Sequence, residues 1–278
     1  MQALLDACID EYFDSIVEDI RQLIAINSIC DEDNATKDAP FGISIRDALN
    51  CALNCGKRLN FNTRNLDGYV GIISMGDPDS ETVGVLGHVD IVPAGNGWKY
   101  PPFKGVIEDN KLYGRGVEDD KGPIIACLYC MKAIRDLNLP IKKKLHLIIG
   151  TDEETGSRCI KHYLRNEGQF SYGFSPDAMF PIVNAEKGIV RFLWVKRIEK
   201  KSEIIISINA GTKVNVVPDR AEVNLSINHI TSINKAYESY DHNDEINISH
   251  DGERVCVVAK GISAHAMEPE KGKNSLQI

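Results

Sequence analysis

Val83-Gly84-Val85-Leu86-Gly87-His88-Val89-Asp90 joins an apolar run to a histidine and an aspartate. Val83–Leu86 is a short, unbroken apolar run, and such a run reads as a strand buried on both faces. A second run, Leu145–Gly150, has the same character, and Lys121–Leu137 between them follows a helical pattern. Strand, helix and strand together predict a crossover unit in an α/β fold, with a mostly parallel sheet flanked by helices. His88 and Asp90 stand at the carboxyl end of the first strand. Alternate residues of a strand share a face, so the two point the same way. An imidazole beside a carboxylate suits metal ligation, one group binding and the other fixing the ring.

Outward from this unit, Met1–Ile26 and Ile43–Leu59 read as helices, with Cys30–Phe41 a loop between them. Phe61–Thr63 and Tyr69–Ser74 read as short strands around an Asp67-Gly68 turn. Pro93–Gly116 reads as one long loop, of a length that usually has a function. The pattern changes near Lys187. Beyond it come short strands, Val190–Val195, Ile204–Ile208, Ala221–Ile227 and Val255–Lys260, with polar turns such as His242-Asn243-Asp244-Glu245. This division predicts residues 1–186 as one domain and residues 187–278 as part of a second, α+β in style.

The net charge of −8 over 278 residues, with no basic block, argues against a nucleic-acid surface. The first helix is interrupted by Asp6, Asp10, Glu11, Asp14, Glu18, Asp19 and Arg21, unlike a signal peptide. No run approaches the roughly 20 apolar residues of a membrane span, which makes the cytoplasm the expected location. The eight cysteines fit a reducing compartment. Cys127 and Cys130 form a CxxC, but inside an apolar helical pattern and without a second pair at ligand spacing. They are expected to pack as small hydrophobes, as are Cys51 and Cys55.

Three loci carry chemistry. His88 and Asp90 are the first. The second is Gly114-Arg115-Gly116-Val117-Glu118-Asp119-Asp120-Lys121-Gly122, a glycine-punctuated turn entering a helix. The third is Thr151-Asp152-Glu153-Glu154-Thr155-Gly156, directly after the second buried strand. All map to the carboxyl edge of the sheet, where open parallel sheets place their ligand sites. Carboxylates converging there repel one another unless cations are bound. Imidazole with carboxylates and no thiol suits zinc, with manganese or cobalt as substitutes. Of Glu153 and Glu154, one can ligate while the other handles a proton.

These three motifs, with Val92-Pro93-Ala94-Gly95, Gly97-Trp98, Leu112-Tyr113 and Ser175-Pro176-Asp177-Ala178-Met179-Phe180-Pro181, resemble the co-catalytic dizinc exopeptidase family. Aminoacylase, carboxypeptidase G and succinyl-diaminopimelate desuccinylase belong to it, and the nearer likeness is to its PepV-like bacterial dipeptidases. The resemblance implies a zinc-dependent dipeptidase with a catalytic domain and an α+β lid. It implies that His88 and Asp177 bind one zinc and Glu154 the other, with Asp119 bridging them and a cis peptide between Asp119 and Asp120. Asp90 would orient His88, and Glu153 would act as general base and then acid. His265, in Gly261-Ile262-Ser263-Ala264-His265, would steady the oxyanion, with Asn215, in Val214-Asn215-Val216, as its polar helper. Within the family, N-acyl amino acids are the alternative substrates. A non-catalytic metal-binding remnant or interaction module is the alternative from another class. His146, His162, His229, His242 and His250 match no motif and are read as structural.

The resemblance also implies a returning segment with a further histidine ligand. Lys271–Ile278 reads as the opening of a helix, Asn274 its cap, at which the sequence stops. The expectation is a C-terminally truncated chain with both domains incomplete and weak or no hydrolysis. Its exposed apolar surface would favour association.

Overall fold

The computed structural model describes residues 1–95, 97–179, 181, 183–185, 187–188, 190, 192–197, 202–240 and 243–278. The chain divides into two compact units, Met1–Ala185 and Glu186–Ile278.

The first unit is built on a five-stranded sheet. Its strands are β1 (Asn62–Leu66), β2 (Val70–Met75), β3 (Thr82–His88), β6 (Lys144–Gly150) and β7 (Tyr172–Phe174), in the order β1-β2-β6-β3-β7. β3 pairs parallel to both β6 and β7, whereas β2 joins β6, and β1 joins β2, antiparallel. The sheet is therefore mixed, and its parallel part is the part that carries the site. The antiparallel edge follows from the Asp67-Gly68 turn. Both residues have positive φ, which turns a hairpin with the twist of its strands.

Helices α1 (Gln2–Ile24), α2 (Ile43–Arg58) and α3 (Lys121–Asp136) cover one face of the sheet. Leu23, Leu49, Leu53, Ile124 and Leu128 pack there on Ile73, Val85, Leu147 and Ile149. α4 (Arg158–Glu167) covers the other face, where Tyr163 meets Val70, Ile72 and Ile148. Leu147 and Ile149 thus bury on one side and Ile148 on the other. This is why β6 is apolar without alternation. The sequence pattern misses α4 because only Cys159 and Tyr163 of its ten residues are buried.

Pro93–Gly116 is not a plain loop. It contains a hairpin of β4 (Val106–Glu108) and β5 (Lys111–Tyr113). Asp109 and Asn110 form its turn at positive φ, a conformation their short polar side chains tolerate.

The second unit holds a four-stranded antiparallel sheet of β8 (Ile205–Ala210), β9 (Arg220–Ser226), β10 (Ile246–His250) and β11 (Arg254–Lys260), in the order β10-β11-β9-β8, with α5 (Ile230–Glu238). β10 and α5 have no counterpart in the sequence reading. The expected strand Val190–Val195 does not form at residues 192–195, where no strand pairs with them among the described residues. Apolar alternation without a partner strand leaves the backbone hydrogen bonds unmade. Arg191, Phe180 and His242 lie outside the described residues. Asn274 caps a short 3-10 turn at Ser275–Gln277 by accepting the Leu276 N–H.

All eight cysteines are free. Cys55 and Cys159 are buried, as a hydrophobic reading requires, but Cys130 is exposed because it faces away from the sheet side of α3. No described helix is long and apolar enough to cross a membrane.

Candidate active site

Every strand that ends at the site is parallel, so their carboxyl ends meet at one edge. His88 is the last residue of β3, Thr151–Gly156 follows β6, and Ser175–Asp177 follows β7. Asp119 and Asp120 lie directly before α3, joined by a cis peptide bond. Ser175 helps fix the β7 end by donating its Oγ–H to the Leu86 carbonyl at 2.8 Å.

His88 is 1% exposed and forms the centre of the arrangement. Its Nε2 lies 3.0 Å from Asp119 Oδ1, 3.4 Å from Asp177 Oδ2 and 4.0 Å from Glu153 Oε2. One ligand atom each from His88, Glu153 and Asp177 falls within a mutual 4.8 Å, a group able to hold a metal ion. The Nδ1–H of the ring donates to the main-chain carbonyl of Asp90 at 2.9 Å. A neutral ring in that tautomer presents a lone pair at Nε2, and Nε2 has no hydrogen bond of acceptable angle. A lone pair aimed at carboxylates is repulsive unless a cation or a proton stands between them. One imidazole, several carboxylates and no thiol are the donor set that zinc, manganese or cobalt accepts. The residues therefore fit a divalent metal.

Electrostatics point the same way. Burial pulls the His88 pKa down, but the carboxylates of Asp119, Asp177 and Asp90 around the ring outweigh it and raise the pKa, so positive charge is favoured at the ring. The His88 ring, 3.0 Å away, holds the Asp119 carboxyl below its ordinary value. Glu153 is pushed up by burial, then by Asp177, Asp90 and Asp119, with His88 opposing. Glu154 is pushed up to about 7, first by burial and then by Asp119. A raised carboxylate in a cleft is a group poised to exchange a proton near neutral pH.

The surroundings are tied down by residues that the sequence reading left without a role. Asp120 is completely buried, and its Oδ2 accepts the His88 N–H at 3.1 Å. A Cβ on Gly87 would stand 2.3 Å from that oxygen, so only glycine fits there. Lys121 is also fully buried, and its ammonium donates to the Leu23 and Ile26 carbonyls at 3.1 and 2.7 Å. Burial pushes its pKa down to about 8. Asp152 accepts from the Arg158 N–H at 2.9 Å and from its Nε and Nη2 at 2.7 and 2.9 Å, and from the Thr155 hydroxyl. In sequence this clamp is visible only as Asp152, Thr155 and Arg158 at spacings of three, a weak turn signal.

Asn215 and His265 belong to the second unit and lie on paired segments. Val216 bridges His265, and the Ala266 N–H donates to the Asn215 carbonyl at 2.8 Å. Both side chains are exposed, and His265 Nδ1 accepts the Met267 N–H at 3.1 Å. Of the other histidines, His146 is buried with its Nδ1 2.9 Å from the Tyr163 hydroxyl, and His162 stacks on Tyr69 and pairs with Asp67.

Comparison with known proteins agrees with this arrangement. "Putative dipeptidase YtjP" of Bacillus subtilis (strain 168) is 38% identical over 270 residues, 94% of this chain and 58% of that protein. A "Putative dipeptidase" of Staphylococcus epidermidis is 35% identical over 273 residues, 95% of this chain and 58% of that protein. The chain thus spans 58% of the length of these curated relatives. Among solved structures, human carnosine dipeptidase 1 superimposes with a TM-score of 0.54 at 25% identity, covering 64% of this chain and 41% of that one. The yeast dipeptidase Dug1p from Saccharomyces cerevisiae shares the fold, with a TM-score of 0.51 at 23% identity over 59% of this chain and 37% of that one. Residues 84–267, which run from β3 through the histidine-carboxylate edge to the His265 segment, match the model of peptidase family M20/M25/M40, and the chain belongs to that family.

Proposed function

We propose that this chain carries the metal-holding part of a cytoplasmic dipeptidase that hydrolyses the peptide bond of dipeptides with divalent metal, zinc being the ion the donor set suits best. One observation carries the reading. His88 and Asp177, with Glu153 beside them, bring polar atoms within 4.8 Å beyond the ends of parallel strands, and His88 Nε2 has no good hydrogen bond there. The names of the relatives supply the substrate class.

In this reading His88 and Asp177 would hold one cation and Glu154 a second, and Asp119 would serve both. Bound metal supplies Lewis acidity for a carbonyl oxygen and acidifies water at neutral pH. Glu153 takes a proton from the attacking water, a task its raised pKa suits, and passes it to the leaving amine. Asp90 and Asp120 keep His88 in place through its Nδ1–H and its main-chain N–H. His265 and Asn215, side by side in the second unit, are the pair assigned to steady negative charge on the carbonyl oxygen. The first unit then acts as the metal-bearing domain and the second as part of the lid.

The test is zinc binding to metal-free chain, together with hydrolysis of a dipeptide panel and of N-acyl amino acids. Zinc binding is expected, with at most weak zinc-dependent release of amino acids from dipeptides. If neither zinc, manganese nor cobalt binds, and none raises dipeptide hydrolysis above the metal-free rate, the reading fails.

A further inference from the structure

Asp90 is 1% exposed, and its side chain is committed to an element other than its own. Oδ1 accepts the Glu153 N–H at 3.2 Å, and Oδ2 accepts the Glu154 N–H at 3.1 Å. Among the described residues, no main-chain acceptor serves either amide. The His88 ring uses a different atom of the same residue. Its Nδ1 is 2.9 Å from the Asp90 carbonyl but 3.5 Å from Oδ1. The shorter distance is a hydrogen bond, and the longer lies beyond the normal range for one.

We propose that Asp90 is a positioning residue for the Glu153–Glu154 turn, its carboxylate holding the two amides while its main-chain carbonyl orients His88. The clasp rests on these distances; its consequence for hydrolysis rests on the dipeptidase reading.

The physical case is mutual dependence. A buried carboxylate is expensive unless its oxygens are hydrogen-bonded, and two amides converging on one anion meet that need. Bonds to an ionised acceptor are also stronger than neutral ones. The far end of the same turn is held by Asp152, whose main-chain carbonyl accepts from Gly156 and Ser157. The backbone of both glutamates is thus fixed from β3 and from the start of α4, while their side chains stay free to face His88 and Asp119. The 4.0 Å separation of Glu153 Oε2 from His88 Nε2 is then set through Asp90, which touches both residues.

Asp90→Asn separates the two jobs of the residue. The carboxamide can accept from one amide but turns its own N–H groups on the other, while the main-chain carbonyl is untouched. The measurement is amide hydrogen exchange across the chain, with ¹⁵N shifts of the His88 ring. In the unmodified chain the Glu153 and Glu154 amides should exchange slowly despite having no main-chain acceptor. In D90N their exchange should rise about tenfold or more, the scale of losing a bond to a charged acceptor. The rise should be confined to the turn, and His88 should keep its Nδ1–H tautomer. Free exchange of both amides in the unmodified chain overturns the proposal, whether or not D90N folds. Unchanged exchange in folded D90N overturns it too, as does loss of the His88 tautomer with the turn unaffected. Parallel dipeptide assays keep the claims apart. Clasped amides without hydrolysis support the clasp and count against the dipeptidase reading, and hydrolysis with freely exchanging amides does the reverse.

Discussion

Asp90 accepts the backbone N–H of Glu154 at 3.1 Å, so a side chain beyond the end of β3 holds the turn beyond the end of its parallel neighbour β6. The contact requires the two strand ends to lie level, which the register of His88 opposite Gly150 provides. From this relationship the glutamate pair inherits a fixed backbone, and the two side chains can differ in role.

That difference is measurable. Glu153→Gln should retain metal and lose about 10²- to 10⁴-fold in kcat, because a base is removed but a ligand set is kept. Glu154→Gln should instead weaken the second cation. In the unmodified chain the cation at His88, Asp177 and Asp119 should bind more tightly than the one at Asp119 and Glu154, since three ligands make the usual minimum shell and two do not. Zinc titration against a competing chelator, beside steady-state kinetics, reads both.

Gly87→Ala should destabilise the first unit by about 1–3 kcal/mol, the usual range for overpacking. The added Cβ would stand 2.3 Å from Asp120 Oδ2 and 2.7 Å from Ile124 Cγ1, neither of which has room to retreat. Thermal unfolding should show the loss, and zinc affinity should fall with it because Asp120 holds the His88 N–H.

His146 should make stability depend on pH. Burial depresses its pKa from 6.5 to about 4, so between these values the unfolded chain binds a proton that the folded chain does not. Stability from this group is complete above pH 6.5 and declines as the pH falls towards 4, by roughly 3 kcal/mol in all. Chemical denaturation between pH 4 and 7 should show a flatter slope in His146→Gln, at a cost of about 1 kcal/mol at neutral pH for the lost Tyr163 hydrogen bond.

The thiols should separate by exposure. Cys130 should react with a disulfide reagent in the folded chain, whereas Cys55 and Cys159, buried against the core, should react only after unfolding. Burial also pushes the Cys159 thiol up, which further slows it. Peptide mapping after brief labelling checks the order.

The scaffold of the first unit is legible in its apolar pattern. Continuous apolar runs at β3 and β6 require cover on both faces, and the helical period of α3 between them leaves a parallel crossover as the way to provide it. The sequence also shows which chemical groups stand at the carboxyl edge, because His88, Asp119, Glu153 and Glu154 directly follow or precede those elements. Less of the second unit was legible: β10 and α5 are short and none of their residues is fully buried, and the alternation of Val190–Val195 meets no partner strand among the described residues. Which atom of Asp90 meets His88, and which meet the glutamate turn, follows from the packed fold and from no local pattern. The same holds for Lys121, whose ammonium reaches the end of α1, and for the hydrogen bond from the His88 amide to Asp120. All but the contact between Asp90 and His88 join segments tens of residues apart. Local pattern places a residue on a strand or at its end, but only packing of β3, β6 and α3 against one another brings the polar atoms within hydrogen-bonding distance.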